Sequence, residues 1–234
     1  MRTYVLIPGA GGAASWYWDP VASRLRAAGH DAIPVDLPAA DPAAGLPEYA
    51  ELVVAAAGDR DDVVLVAQSM GAFTALPVCE LLPVAHLVLL NAMIPAPGET
   101  AGDWGRNTGS ETARLAAARE QGYAEAVDLD TYFLHDVPPD VAAAGAEHEQ
   151  PEADIAFEQP CPFVRWPDLP TTVLVGRDDR LFPAAFQQRL ARERLGLEAR
   201  VVPGGHLNAL SEPDAVAGAV LRYPASPSAA GATR

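Results

Sequence analysis

The sequence predicts an α/β fold with a mostly parallel, doubly wound sheet of about six strands. Short, almost continuously apolar runs alternate with segments whose apolar residues recur with the period of an α-helix. Continuously apolar strands are typical of parallel sheets buried on both faces, and the intervening helices can supply right-handed crossovers. One long segment, 92–168, contains no strand-like run, and we predict that it forms an inserted, mostly helical cap.

The individual elements follow from local signals. Strands are predicted at residues 3–7, 31–35, 63–66, 86–90, 171–175 and 199–202. Helices are predicted at residues 19–29, 49–56, 72–82, 183–195 and 212–221. In the second of these helices Leu52 should share one buried face with Tyr49 and Val53, and Ser211 with Asp214 resembles a capping box that opens the last helix.

These signals divide the chain into a core and an insertion. The core comprises residues 1–91 and 169–223, and the cap comprises residues 92–168. The tail, 224–234, is rich in Pro, Ser and Ala with little to bury, and we expect it to be disordered.

Composition narrows the classes of partner. Lys and Arg total 16 against 31 Asp and Glu, a formal net charge of −15, which argues against binding to nucleic acid or to an anionic membrane. No apolar run is long enough to cross a bilayer, and the first apolar stretch is too short for a secretion signal, so we expect a cytoplasmic protein. Cys79 and Cys161 fit a reducing compartment, although a bridge between them is left open. The chain could form a homodimer.

A candidate nucleophile lies where the third strand turns into a helix. The segment reads Ala67-Gln68-Ser69-Met70-Gly71, a nucleophile elbow of the form G-x-S-x-G with alanine in place of the first glycine. Small flanking residues allow a sharp turn that projects the serine at the carboxyl edge of the sheet, beside the free N–H groups of a helix N-terminus. The competing interpretation is a serine that caps an ordinary helix, and a serine also needs a base to become a good nucleophile.

A base and an acid follow two later strands. His206 ends a glycine-rich loop after the sixth strand, whereas the other histidines border strands or lie in the predicted cap. Asp178 and Asp179 both follow the fifth strand. We favour Asp179 as the acid, because it lies three residues after Gly176 and four residues before the proline that opens the next helix, and we assign Asp178 to the turn or to solvent. Ser69, Asp179 and His206 together form a candidate triad in the order serine, acid, histidine.

The loop after the first strand could stabilise an oxyanion. Its glycines, within residues 8–12, allow backbone N–H groups to point into the site, and the N–H of Met70 should supply another donor. A rival interpretation is a phosphate-binding loop for a dinucleotide, because Gly9, Gly11 and Ala14 formally fit its fingerprint. That interpretation leaves the candidate triad unexplained.

With these motifs the chain resembles a small α/β-hydrolase over most of its length, in the branch of esterases, methylesterases and hydroxynitrile lyases. The segment Trp16-Tyr17-Trp18 after the glycine-rich loop is typical of that branch. The resemblance implies the α/β-hydrolase fold, with Ala10 and Met70 donating the oxyanion N–H groups.

The same resemblance favours ester hydrolysis over cyanide elimination. Lyases of this branch carry a lysine after the catalytic histidine and a threonine in the oxyanion loop, where this chain has Leu207 and Gly9. Dehalogenases and epoxide hydrolases of the fold use an aspartate nucleophile, which Ser69 argues against. The chain also departs from many members, which have His-Gly at the position of Pro8-Gly9.

The predicted activity is hydrolysis of a small, largely apolar carboxylic ester through an acyl-serine, without metal or cofactor. Gly9 and Gln68, with Tyr132, Phe133 and Trp166 of the cap, are the candidate substrate contacts, although the cap aromatics could equally pack the cap onto the sheet. The triad alone does not distinguish an ester from a thioester or from a C–C bond cleaved by a biosynthetic hydrolase or lyase. A catalytically silent hydrolase fold that binds a small ligand is the non-enzymatic alternative.

Overall fold

Six strands form one sheet in the computed structural model, which describes residues 1–148 and 150–222. They are β1 (Thr3–Ile7), β2 (Asp31–Pro34), β3 (Val63–Gln68), β4 (Val84–Leu90), β5 (Thr171–Gly176) and β6 (Arg200–Val202). All neighbouring strands are parallel, in the order β2-β1-β3-β4-β5-β6, so the predicted sheet is confirmed. The strand order reverses at β1, and α/β folds bind ligands at the carboxyl ends of the strands beside such a switch point.

Twelve α-helices lie in the described part of the chain. They are α1 (Ala14–Tyr17), α2 (Asp19–Ala27), α3 (Leu46–Ala57), α4 (Gly71–Leu81), α5 (Ala101–Thr108), α6 (Ser110–Gln121), α7 (Leu129–Tyr132), α8 (Pro139–Gly145), α9 (Asp154–Glu158), α10 (Ala184–Leu195), α11 (Asn208–Ser211) and α12 (Pro213–Leu221). A 3₁₀ turn, Ala146–His148, follows α8.

The strand side chains alternate between two apolar layers. On one face Val5 and its neighbours pack with side chains of α3, α4 and α10, and on the other face Leu6 packs with side chains of α2 and α12. Trp18, which precedes α2, is fully buried in the second layer. Burying each large apolar side chain contributes about 1.5–3 kcal/mol, so both layers stabilise the sheet. The doubly wound arrangement is therefore confirmed.

Two local predictions are wrong. Leu52 is 42% exposed, because the buried stripe of α3 is narrower than its apolar pattern indicated. The capping box at α12 does not form, because the short helix α11 already includes Ser211. The Ser211 hydroxyl instead donates to Asp136, and the Asp214 carboxylate pairs with Arg24 of α2.

The segment between β4 and β5 contains the five helices α5 to α9 and none of the strands of the sheet. Part of it joins the main core. Trp104 of α5 is buried against the rings of Phe182 and Phe186, with centroids 5.0 and 5.8 Å away, and its indole N–H donates to the Ile94 carbonyl at 2.9 Å. We call residues 92–168 the insertion from here on.

Three further observations bear on the sequence-based expectations. Cys79 and Cys161 are free thiols, so they form no bridge. Across residues 1–148 and 150–222, none of the helices combines the length and apolar character needed to span a membrane. The tail predicted to be disordered, 224–234, and residue 223 of the predicted core lie outside the described residues.

Candidate active site

Ser69 occupies a sharp turn between β3 and α4. Its φ of 50° lies in the left-handed region, which residues with side chains seldom adopt and which occurs where surrounding contacts enforce it. Two hydrogen bonds provide such contacts: the Ser69 N–H donates to the Leu90 carbonyl at 3.1 Å, and the Met93 N–H donates to the Ser69 carbonyl at 3.0 Å. The end of β4 thus holds the turn from one side.

The small residues two positions before and after Ser69 allow the strand and the helix to approach each other closely at this turn. A Cβ at Gly71 would overlap the carbonyl oxygen of Pro8, so only glycine fits there. Ala67 is fully buried within β3, where it lies in register with Ile7 of β1 and Leu89 of β4. The sheet therefore accommodates the methyl group that replaces the first glycine of the elbow.

His206 connects the serine to the acid. Its Nε2 lies 3.1 Å from Ser69 Oγ, and its Nδ1 lies 2.9 Å from Asp179 Oδ2. The histidine is only 2% exposed, and the rings of Phe133 and Phe182 contact the imidazole edge-on. With a proton on Nδ1 donated to the carboxylate, Nε2 can accept the Ser69 hydroxyl proton, as a general base must.

Asp179 is buried and its carboxylate is fully hydrogen-bonded. Oδ1 accepts the backbone N–H groups of Leu181 and Phe182, both at 2.9 Å, and Oδ2 accepts from the Gln187 amide at 3.0 Å as well as from His206. These bonds compensate the cost of burying the charge and fix the orientation of the carboxylate.

Asp178 has a different environment. Its carboxylate lies 2.9 Å from the Arg177 guanidinium, whose hydrogen bond lowers the pKa of Asp178. It also accepts the backbone N–H of Gly204 at 3.3 Å. The structure therefore places Asp179, and not its neighbour, against the histidine.

Two backbone N–H groups beside Ser69 are available to an oxyanion. Ala10 and Met70 line the same cavity as Ser69, and within the described part of the chain neither N–H donates a hydrogen bond. Gly9 brings this loop close, since a Cβ there would lie 2.9 Å from the Ser69 Cβ. Free donors that face a developing negative charge are the usual electrostatic device for acyl transfer.

Ser69 and His206 open onto a cavity of about 570 Å³. Apolar side chains dominate its wall, and among the described residues the lining includes no Lys, Arg, Asp or Glu. Burial raises the pKa of the Tyr17 phenol in this wall, so that group stays neutral. The cavity suits an uncharged, largely apolar ligand.

The family is identified by a comparison of the whole chain. A model of the alpha/beta hydrolase family matches residues 4–219. The chain belongs to that family. The resemblance predicted from the elbow, the acid turn and the histidine loop is thus confirmed.

This α/β-hydrolase has similar proteins among both curated sequences and solved structures. "Probable esterase PIR7A" of Oryza sativa is 37% identical over 113 residues, and the match covers 43% of this chain and 43% of the rice protein. Polyneuridine aldehyde esterase has a TM-score of 0.75 at 20% identity and covers 94% of this chain and 98% of its own. A pyrethroid hydrolase from Sphingobium faniae JZ-2 has a TM-score of 0.72 at 23% identity, covering 94% and 95%. These structural matches show the shared fold.

The predicted substrate contacts of the hydrolase fall in two groups. Gly9, Gln68 and Phe133 line the cavity, but Tyr132 and Trp166 do not. Tyr132 and Phe133 are adjacent at the end of α7, so their side chains point in different directions.

The two excluded aromatics have structural positions instead. Tyr132 is fully buried and its hydroxyl donates to the Ala124 carbonyl at 2.5 Å. Trp166 packs edge-on against Phe163, with ring centroids 5.6 Å apart, next to the main core. Neither ring lies in the cavity wall, so the cavity does not support their predicted contact with substrate.

The dinucleotide alternative does not fit the loop after β1. The Gly11 N–H, which would have to face a phosphate, donates to the Glu152 carboxylate at 2.8 Å. A carboxylate at that position repels a phosphate, and Gly9 is pressed against the serine turn. Gly9 instead allows the loop after β1 to approach the Ser69 turn closely.

Several residues of the site were not predicted from the sequence. Gln187 supports Asp179 from α10, and Trp16 stacks on His148 of the insertion at the cavity wall, with centroids 6.1 Å apart. A lone glutamine or histidine on a helix carries no local signal for such a position. Only the branch-typical Trp16 could have drawn attention to this wall.

Proposed function

We propose that this α/β-hydrolase is a serine esterase that cleaves small, uncharged, largely apolar carboxylic esters through an acyl-serine. The observation that carries the proposal is the unbroken hydrogen-bond chain from Ser69 through His206 to Asp179 at a cavity wall. A protein that only bound a ligand would not need a buried aspartate to orient a histidine against a serine. The membership of this chain in the α/β-hydrolase family and its likeness to proteins named as esterases also support this function.

In the first step Ser69 Oγ attacks the ester carbonyl carbon while His206 Nε2 takes the hydroxyl proton. The carbonyl oxygen becomes an oxyanion, which the N–H groups of Ala10 and Met70 stabilise. Asp179 keeps the imidazole in the required tautomer and stabilises its charged form. The imidazolium then donates its proton to the departing alkoxide, which leaves as the alcohol.

In the second step water hydrolyses the acyl-serine. His206 accepts a proton from the water as its oxygen attacks the acyl carbon, and the same oxyanion donors stabilise the second intermediate. Collapse of that intermediate returns the proton to Ser69 and releases the carboxylic acid. The acid loses its proton to water, and the resulting carboxylate has no cationic partner among the described lining residues, which favours its departure.

The substrate class follows from the cavity. The cavity wall near the triad is apolar and includes Met70, Met93 and Leu207. The insertion contributes further apolar wall through Leu129, Leu134 and Phe157. Leu207 directly follows the catalytic histidine, so a lysine that would hold a cyanide leaving group is missing at that position. Neutral esters with apolar acyl and alcohol parts suit these surfaces best.

Steady-state kinetics with matched chromogenic esters test the proposal. We expect kcat/KM for p-nitrophenyl butyrate to exceed that for p-nitrophenyl hemisuccinate by at least about tenfold, because a carboxylate would be buried without a partner. Ser69→Ala should fold normally and lose at least about 10⁴-fold in kcat. Retained turnover in the folded Ser69→Ala variant, or a preference for the anionic ester, would contradict the proposal.

A further inference from the structure

Asn91, directly after β4, is an unusual residue in the core of the molecule. It is fully buried and its φ is 47°, a left-handed conformation that is unfavourable for a residue with a side chain. Such a conformation persists where surrounding contacts fix it, and it often marks a position with a function.

The Asn91 side-chain amide is fully used. Its Oδ1 accepts the backbone N–H of Gly176 at 2.6 Å. Its Nδ2 donates to the carbonyls of Gly205 and His206, both at 3.1 Å, and lies 3.3 Å from Asn208 Oδ1. The partners determine the orientation of the amide, because only the oxygen can face an N–H and only the nitrogen can face two carbonyls.

These partners belong to the two turns that supply the acid and the base. Gly176 ends β5 and begins the turn that carries Asp179, whereas Gly205 and His206 form the histidine loop. The turns touch each other: a Cβ at Gly176 would lie 2.7 Å from the carbonyl oxygens of both Gly204 and Gly205. One amide therefore bridges both turns at their closest approach.

We infer that Asn91 is a positioning residue for catalysis, which holds the acid turn and the histidine loop in the register that places His206 between Asp179 and Ser69. The inference rests on the proposed function. Asn91 does not line the cavity and does not touch the imidazole nitrogens, so its effect passes through the His206 backbone. Gln68 assists at the same point, since its Nε2 donates to the His206 carbonyl at 3.3 Å.

The inference predicts a loss in the chemical step rather than in substrate binding. Displacing a catalytic group by a fraction of its hydrogen-bond length can cost about 100-fold in rate. Removing the Asn91 amide should therefore lower kcat for p-nitrophenyl butyrate by about 100-fold and change KM little. The rate of labelling by a fluorophosphonate, which also needs the activated serine, should fall in parallel.

Two variants separate positioning from stability. Asn91→Gly removes the amide and also relieves the left-handed backbone. Asn91→Asp keeps the shape and the acceptor for Gly176, but places an oxygen against two carbonyls, so it should lower kcat as well and shift the acid limb of the kcat/KM profile to higher pH. Val53→Ala is the stability control, because it truncates a fully buried side chain of α3 that does not line the cavity.

The outcomes are distinct. A folded Asn91→Gly or Asn91→Asp protein with wild-type kcat and labelling rate would overturn the inference, and Ser69-dependent turnover in that protein would leave the proposed function intact. A kcat loss in Val53→Ala as large as in the Asn91 variants would also overturn it, because the effect would then follow stability alone. If the wild-type protein shows no Ser69-dependent turnover, the proposed function fails and the inference fails with it.

Discussion

At the scale of single residues, the position of one carboxylate decides which aspartate can orient the histidine. Asp178 and Asp179 are adjacent and follow the same strand, and the sequence favoured Asp179 only by its spacing within the turn. In the structure Asp179 is 4% exposed and accepts from two backbone N–H groups, whereas Asp178 pairs with Arg177 near the surface. Burial and hydrogen bonding, and not residue type, separate them.

The pair offers a matched test. Asp179→Asn should lower kcat by about 10³–10⁴-fold, because an amide favours the wrong tautomer of His206. Asp178→Asn should keep kcat close to wild type, because its amide oxygen can still accept the Gly204 N–H and only a surface ion pair is lost. Ester hydrolysis measured for both purified variants checks this, and a larger loss for Asp178→Asn would reverse the assignment.

The glycine and the alanine of the elbow should differ in how strongly their substitution affects stability and kcat. Gly71→Ala would place a methyl group on the Pro8 carbonyl and should lower the free energy of unfolding by about 1–3 kcal/mol, with a loss of kcat as the oxyanion loop shifts. Ala67→Gly restores the common motif but should cost about 0.5–1 kcal/mol without affecting kcat. Urea denaturation with parallel kinetics measures both, and a tolerant Gly71→Ala variant would contradict the close approach.

At the scale of elements, residues 150–153 of the insertion contact the glycine-rich loop after β1 (residues 8–12), to which the proposed mechanism assigns an oxyanion donor, and the segment after β2. The Glu152 carboxylate accepts the Gly11 N–H at 2.8 Å and the Tyr49 hydroxyl at 2.6 Å, and the Ala153 N–H donates to the Ala39 carbonyl at 2.7 Å. Glu152 and Gly11 lie 141 residues apart in the chain, so no local pattern could have predicted this contact. The helical insertion was predictable as a whole, because it lacked strand patterning.

Glu152 should make the free energy of unfolding of the protein depend on pH. Burial raises the pKa of Glu152, so the folded protein holds the proton to higher pH than the unfolded chain. The free energy of unfolding therefore falls as pH rises from the ordinary carboxyl pKa through the raised one. In Glu152→Gln the amide oxygen can still accept the Gly11 N–H, and the amide N–H can donate to the Tyr49 hydroxyl oxygen. The amide does not ionise, so this variant should remove the fall, and its stability relative to wild type should increase with pH.

Chemical denaturation at several pH values between 4 and 8 measures this difference. The control is Glu158→Gln, which makes the same substitution at an exposed position of α9. A constant difference for Glu152→Gln would contradict the role of burial.

A second buried group with a shifted pKa is His86, which lies on β4 of the sheet. Burial, with smaller contributions from Arg2 and Arg200, lowers the pKa of His86 to about 4, and its Nε2 lies 2.9 Å from Thr172 Oγ1 on β5. The unfolded chain takes up this proton near pH 6.5, so the fold loses up to about 3 kcal/mol as pH falls from 6.5 to 4. His86→Gln should flatten this loss in pH-dependent denaturation, and an unchanged slope would contradict the assignment.

At the scale of the whole molecule, the parallel sheet explains why distant residues meet. Ser69, Asp179 and His206 each follow the carboxyl end of a strand, and in a parallel sheet those ends share one edge. The sequence could therefore place them together from strand patterns and turn residues alone. It could not place Asn91 or Gln187, whose roles depend on the packing of one turn against another element. It also could not decide between Tyr132 and Phe133, because a helix end sets which of two adjacent rings faces the cavity.

The most direct test of the central claim is covalent labelling by a fluorophosphonate, followed by peptide mass spectrometry. The proposed mechanism predicts one adduct on Ser69, formed at a rate that falls by orders of magnitude when His206 is replaced by alanine. Labelling at another residue, or labelling of Ser69 that is indifferent to His206, would contradict a serine activated by the buried histidine.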